Sequence, residues 1–348
     1  MIKKVNDFIP QGGKHCITTA LKQVFDYHGY PLSEAMMLGL SSGIAFTYIN
    51  MEHSPMVAGR SKIGEFEEKL SQRLHIKIQC KSGKNNERIS IATKKMINEN
   101  KPVLIYVDMP YLSYLGLGKN NHFGGHAVVL FGYDDEKEEY YISDRDHSNF
   151  PIRTPKGEIH EDYHLVSYKE VEKARSSSFR PFPANNKYLV IDFEGYQQIT
   201  PKVIYEAIYD TCQTMLYPPA NLLGINGIMK FSREILKWKN FSTSKLKIAG
   251  TTNYFQINGD GGTGGGIFRN MYGIFLKEAA NIVSNSKFDE LGERFIEISK
   301  EWDVIANDLW DLSITANVEL LTIISNKIID ICNQEKELYQ LLLQEIEV

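Results

Sequence analysis

The chain has 348 residues, of which 43% are hydrophobic and 24% charged, and a formal net charge of −4. This is an ordinary globular composition with room for two domains, and it offers no basic field for nucleic acid or an anionic membrane surface. Cys16, Cys80, Cys212 and Cys332 lie far apart without CxxC or other metal spacing; with no signal-like or membrane-length apolar run, they read as reduced thiols of a cytoplasmic protein.

The first informative stretch is QGGKHCITTALKQVFDYHG, residues 11–29. Ile17, Ala20, Leu21, Val24 and Phe25 fall on one side of a 3.6-residue repeat, and Gly29 suits a left-handed helix end. Cys16 therefore stands at or just before the first helical turn, where unpaired N–H groups favour a thiolate. Gln11, five residues upstream, is the candidate for a side-chain contact in an oxyanion hole made with backbone N–H groups. Most free cysteines are small buried hydrophobes, so Cys16 needs a partner elsewhere before it reads as a nucleophile.

After Pro31, Ser33 caps a short helix through Met37, and Gly39 and Gly43 frame Ser41 and Ser42 ahead of the strand-like IAFTYI. That glycine–serine turn is either a pocket wall, with Ser41, Ser42 and Gly43 as substrate contacts, or a plain link. Residues 61–73 and 89–98 read as helices, and 75–80 and 103–108 as strands. From Asn120 to Asp146, HAVVLFGY and EYYISD form a hairpin around DDEK. A hairpin centre near 135 sets His126 opposite Asp144; a centre near 136 sets it opposite Asp146. Either aspartate then supplies the orienter for a histidine base, completing the parts of a cysteine triad.

Residues 152–178 read as a polar loop, in which His160 and His164 are weak metal candidates. A last strand, 187–193, leads to Thr200–Pro201, a capped helix start. From there the pattern is helical at 201–215, 219–238, 264–283, 287–312 and 314–345, with a boundary near 196–200. The expected domains are therefore 1–197 and 198–348. The glycine-rich loop 258–266 precedes a helix start, and Gly264, Gly265 and Arg269 are candidates for holding an anion there. Leu309, Ile324, Ile328, Leu338, Leu341 and Leu342 read as bundle core, with a homodimer seam as the alternative.

His15, Cys16, Ala20 and Leu21, GLSSGIAFTY at 39–48, GGHAVVLFGYDD at 124–135 and GTGGGIFRNMYGIFLKEAA at 262–280 resemble the butirosin-biosynthesis acyltransferase family. The resemblance implies an α+β, papain-like cysteine-peptidase fold followed by a mainly α-helical companion domain. It implies transfer of an acyl group from a phosphopantetheinyl carrier protein to an amine of a small molecule. No cofactor or metal bound to the chain itself is expected. Carried over, Cys16 is the acylated nucleophile, His126 its base, Asp144 the orienter and Gln11 the oxyanion contact. One departure is Arg145, where related peptidases have proline, which keeps Asp146 as a rival to Asp144. An amidase or peptidase with the same triad and an inactive binding protein are the competing readings.

Overall fold

The computed structural model describes residues 2–51, 53–119 and 121–346; Asn120, where the second informative stretch begins, lies outside them. The strands in chain order are β1 (Ile2–Lys4), β2 (Ile44–Asn50), β3 (Pro55–Arg60), β4 (Lys77–Lys81), β5 (Val103–Val107) and β6 (His126–Asp134). They continue with β7 (Glu139–Ser143), β8 (Ile152–Thr154), β9 (Gly157–Ile159), β10 (His164–Ser167) and β11 (Tyr188–Asp192). The helices are α1 (Cys16–Tyr27), α2 (Glu34–Leu40), α3 (Glu65–Leu74), α4 (Asn86–Asn98), α5 (Tyr168–Ser176) and α6 (Pro201–Leu216). The remainder are α7 (Gly224–Ile235), α8 (Thr243–Ile257), α9 (Arg269–Val283), α10 (Ser286–Thr315) and α11 (Leu320–Ile346).

The chain folds as two compact units, Met1–Glu34 with His75–Tyr196, and Ala35–Leu74 with Gln197–Val348. Residues 35–74, expected in the first domain, thus belong to the second unit. The architecture is α+β, as expected, with an antiparallel sheet in the first unit and a mostly helical second unit. Among the described residues no helix is long and apolar enough to cross a membrane.

The first unit is built on a sheet in the order β10-β7-β6-β5-β11-β4, with β1 also paired to β6 and every pairing antiparallel. All residues of β5 and β6 are buried, which fits their unbroken apolar runs and a position covered on both faces. Helix α1 packs on β5 and β6 through Ile17, Leu21, Val24 and Phe25, each nearly or fully inaccessible. The stretch 152–178 is not the loop expected: it holds strand β10 of the main sheet and helix α5, the latter closed by a Ser167–Glu170 capping box. That box is a reciprocal pair of bonds that satisfies two N-terminal donors.

In the second unit, the β2–β3 hairpin is held by Asn253 of α8, which accepts from Val57 N–H and donates to the Pro55 carbonyl at 2.9 Å each. Phe46 of β2 stacks on Trp302 of α10, ring centroids 5.8 Å apart. Helix α8 escaped the periodicity reading because its apolar residues lie on both sides. Leu246, Ala249 and Ile257 are buried while Ile248 and Phe255 are exposed, and polar Asn253 occupies a core position. Leu309, Ile324, Ile328, Leu338 and Leu342 are interior to this unit, so they form its core and are not an outward seam.

Candidate active site

Cys16 is the first residue of α1, half-buried, with His15 at the preceding cap position in an extended conformation. The His15 side chain does not cap the helix. Glu34 fastens the segment leading into it: its carboxylate accepts from the backbone N–H groups of Lys14 and His15 (2.9 and 3.1 Å) and from the hydroxyls of Thr18 and Thr19 (2.6 and 3.0 Å), leaving the N–H groups of the first turn itself untouched. A negative group at this end is what the helix dipole favours. The preceding glycines permit the approach. A Cβ on Gly13 would stand 2.2 Å from Thr19 Oγ1 and 2.5 Å from Glu34 Oε1, and one on Gly12 would stand 2.5 Å from Phe150 Cβ.

His126 opens β6 and pairs across the ladder with Val107 of β5. Its Nε2 lies 2.8 Å from Asp144 Oδ2, and its ring hydrogen-bonds the Cys16 side chain. With Nε2 committed to the carboxylate, Nδ1 is the nitrogen left for sulfur. The hairpin register runs Val129↔Ser143 at one end and Asp134↔Glu139 at the other, with an irregularity between Leu130 and Gly132. Its centre, near 136, would by extension have set His126 against Asp146. The ladder ends at Ser143, however, and the chain beyond turns so that the diagonal residue, Asp144, meets the imidazole. Asp146 pairs with His164 at 2.9 Å instead.

Burial by itself lowers the His126 pKa, but the Asp144 charge and hydrogen bond, with the Cys16 contact, outweigh it and push it up to about 10. Burial works the other way on Asp144. There the His126 charge, the His126 and Tyr114 hydrogen bonds and the Arg145 N–H together hold it at about 2. The site is thus suited to an imidazolium facing a thiolate.

The linkage has a definite sign. His126 contributes stability fully below its unfolded value near 6.5 and loses it as pH rises through about 10. Asp144 contributes above its unfolded value of 3.8 and loses it as pH falls through about 2. Urea unfolding of the parent chain is therefore expected to show a decline between pH 7 and 10 that Asp144→Asn flattens. Parallel pH curves for the two proteins would contradict a charged pair.

Other expected site residues lie elsewhere. The Gln11 carboxamide donates to Asp26 at 2.9 Å and accepts from Lys22, residues about 15 and 9 Å along the helix from Cys16. It is therefore not at the sulfur, and the first-turn N–H groups of α1 remain the oxyanion donors that the site offers. Ser41 and Ser42 are buried, bonded to the carbonyls of Leu38 and Ala207, with Arg73 donating to Ser42. A Cβ on Gly43 would lie 2.7 Å from Leu38 Cδ1. These three residues shape the interior of the second unit.

Arg269 is inaccessible and forms a two-pronged pair with Glu335, 2.8 Å on each arm, while Nη1 donates to the Ala45 and Ile267 carbonyls. It is a core ion pair, not an anion ligand. Gly264 and Gly265 adopt positive φ (71° and 99°), with the Gly264 carbonyl taken by Asn270 and the Gly265 N–H by Thr263. Their glycine character serves the turn. His164 is held by Asp146, and no cluster of three metal-type ligands occurs among the described residues.

Two residues of the site carried no sequence signal. Glu34 acts across eighteen positions from Cys16, and Tyr114, whose hydroxyl donates to Asp144 Oδ2 at 2.7 Å, sits in a single 3-10 turn with no periodicity. A second histidine–aspartate pair, His122 with the buried Asp108 at 2.7 Å, follows β5. Strand alternation turns Asp108 to the face opposite Val107 and His126, where it also accepts from Ser177.

Residues 15–145 match the family model described as butirosin biosynthesis protein H, N-terminal. That part of the chain belongs to the butirosin biosynthesis protein H N-terminal family. The butirosin H match contains Cys16, His126 and Asp144 and stops at Arg145, before Asp146. Residues 169–342 match a domain of unknown function (DUF4872). This second match begins inside α5 and takes in β11 of the butirosin H sheet, so the matched stretches and the compact units divide the chain differently. No curated protein matches the chain.

Proposed function

We propose that the chain is a cysteine-dependent acyltransferase on a papain-like scaffold, acting in antibiotic biosynthesis. The observation that supports this reading is the buried His126–Asp144 pair in hydrogen-bond contact with Cys16 at a helix N-terminus. The donor is a thioester, carried by the phosphopantetheine of an acyl carrier protein, and the acceptor is an amine of a small molecule.

In the first half-reaction Cys16 Sγ, as thiolate, attacks the thioester carbonyl. First-turn N–H groups of α1 stabilise the oxyanion, and the imidazolium of His126 gives its proton to the departing thiol. The acyl group is then a thioester on Cys16 and His126 is neutral. An amine attacks that carbonyl, loses a proton to His126, and the proton passes to Sγ as the C–S bond breaks. Asp144 keeps the imidazole turned and stabilises its charged form throughout.

The test offers the full chain, carrying Cys80→Ser because Cys80 is exposed, a model acyl thioester with and without an amine. The expected result is an acyl adduct on Cys16 by mass spectrometry, and amide forming faster than free acid. Free acid produced equally in both arms would make the protein a hydrolase. Absence of any adduct would leave a binding protein.

A further inference from the structure

The oxygen of Asp144 that takes the imidazole bond takes a second one. Oδ2 accepts His126 Nε2 at 2.8 Å and the Tyr114 hydroxyl at 2.7 Å, whereas Oδ1 accepts the Arg145 backbone N–H at 2.7 Å. We propose that Tyr114 is a positioning residue for the Cys16–His126–Asp144 group, fixing the carboxylate plane and limiting how much of its negative charge reaches the imidazole. The proposal rests on the catalytic reading of that group.

Tyr114 is itself held in place. Its ring lies flat on His164, centroids 3.8 Å apart and 5° from parallel, and His164 is clamped by both oxygens of Asp146 at 2.9 and 3.0 Å. The 3-10 turn carrying Tyr114 ends at Gly116 in a left-handed conformation, and Lys156 Nζ donates to the Ser113 carbonyl of that turn at 2.9 Å. The phenol cannot swing away without breaking a stack and a turn. Burial, then the Asp144 charge, raise the Tyr114 pKa well above its ordinary value, so the hydroxyl stays a donor across the working range.

A donor on a carboxylate oxygen withdraws charge from the other partner of that oxygen. Without it, Asp144 would act more strongly on His126 and would be freer to rotate about the Arg145 anchor. The charged groups that act on His126 are Asp144, beyond β7, and Cys16 on α1; the His164–Asp146 pair reaches it through Tyr114. Its ladder partner on β5 is the apolar Val107.

The experiment is an NMR titration of the histidine-labelled full chain, comparing the parent with Tyr114→Phe and Asp144→Asn. Phenylalanine keeps the ring on His164 and removes only the hydroxyl. The His126 midpoint is expected to move to higher pH in Tyr114→Phe, with thioester turnover falling roughly tenfold, as when a ligand-orienting partner is lost. In Asp144→Asn the midpoint is expected to fall. An unmoved or lower midpoint in Tyr114→Phe, with a reduced melting temperature, would make Tyr114 a packing residue and overturn the proposal. An unmoved midpoint in Asp144→Asn would instead undo the triad reading beneath it.

Discussion

Cys16→Ala is expected to abolish turnover while leaving the unfolding midpoint close to that of the parent chain. Cys16 is only half-buried, and loss of one sulfur there should cost no more than about 1 kcal/mol. Of the other thiols, Cys212 and Cys332 are interior, and burial pushes both pKa values up, Cys332 to about 12, while the exposed Cys80 is removed by Cys80→Ser in the same assay. Asp144→Asn is expected to lower kcat roughly 100- to 10,000-fold, the upper figure being that of a serine-protease triad that loses its orienting charge.

His126→Ala is a less clean test than a sequence alone would suggest. It leaves the inaccessible Asp144 carboxylate without its cation, and an orphaned buried charge costs about 3–5 kcal/mol. His126→Gln, which can still donate to Asp144, separates lost chemistry from lost fold. Residual turnover in Cys16→Ala above that of buffer would remove the sulfur from the reaction.

The second large effect concerns stability. Arg269→Met is expected to lower stability by about 3–5 kcal/mol, because Glu335 is left with its charge at 0% side-chain exposure and no cation, the Trp302 indole N–H at 2.8 Å being a neutral donor. Glu335→Gln should cost a similar amount from the other side. The double variant Arg269→Met/Glu335→Leu should recover part of the loss, since apolar replacement removes both charges at once. Recovery is incomplete because the Ala45 and Ile267 carbonyls and the Trp302 N–H lose partners, at about 1–3 kcal/mol for each left unsatisfied. Urea midpoints of the parent and these three variants measure the differences. A cost under about 1 kcal/mol for Arg269→Met would return the residue to the anion-binding role that its place beside a glycine-rich loop suggested.

Local patterns were readable, and long-range reach was not. The Cys16 helix, the two buried strands and the hairpin joining His126 to an aspartate are set by periods of 3.6 and 2 over short spans, and the structure has all of them. The choice of aspartate depended on where a ladder stops, which a hairpin centre does not encode. Gln11 went astray because a flexible amide has rivals: Lys22 and Asp26, one helical turn apart and further along α1 than Cys16, take both ends of it. Glu34, Tyr114 and the place of residues 35–74 all depend on contacts between segments with no shared repeat. Arg269 misled because a cation beside glycines looks alike whether it waits for a ligand or already has Glu335.

The interrupted second unit bears on how the protein is made. Residues 35–74 bring Met37, Leu38, Ile44, Phe46 and Val57, which end up inaccessible, yet the rest of their unit starts only at Gln197. A ribosome adding roughly 5–20 residues per second needs several seconds or more to cover that interval. During that delay an apolar hairpin emerges before the helices that will bury it. Synthesis slowed between Leu74 and Gln197 should therefore lower the yield of soluble protein, whereas slowing within the final helices should matter less.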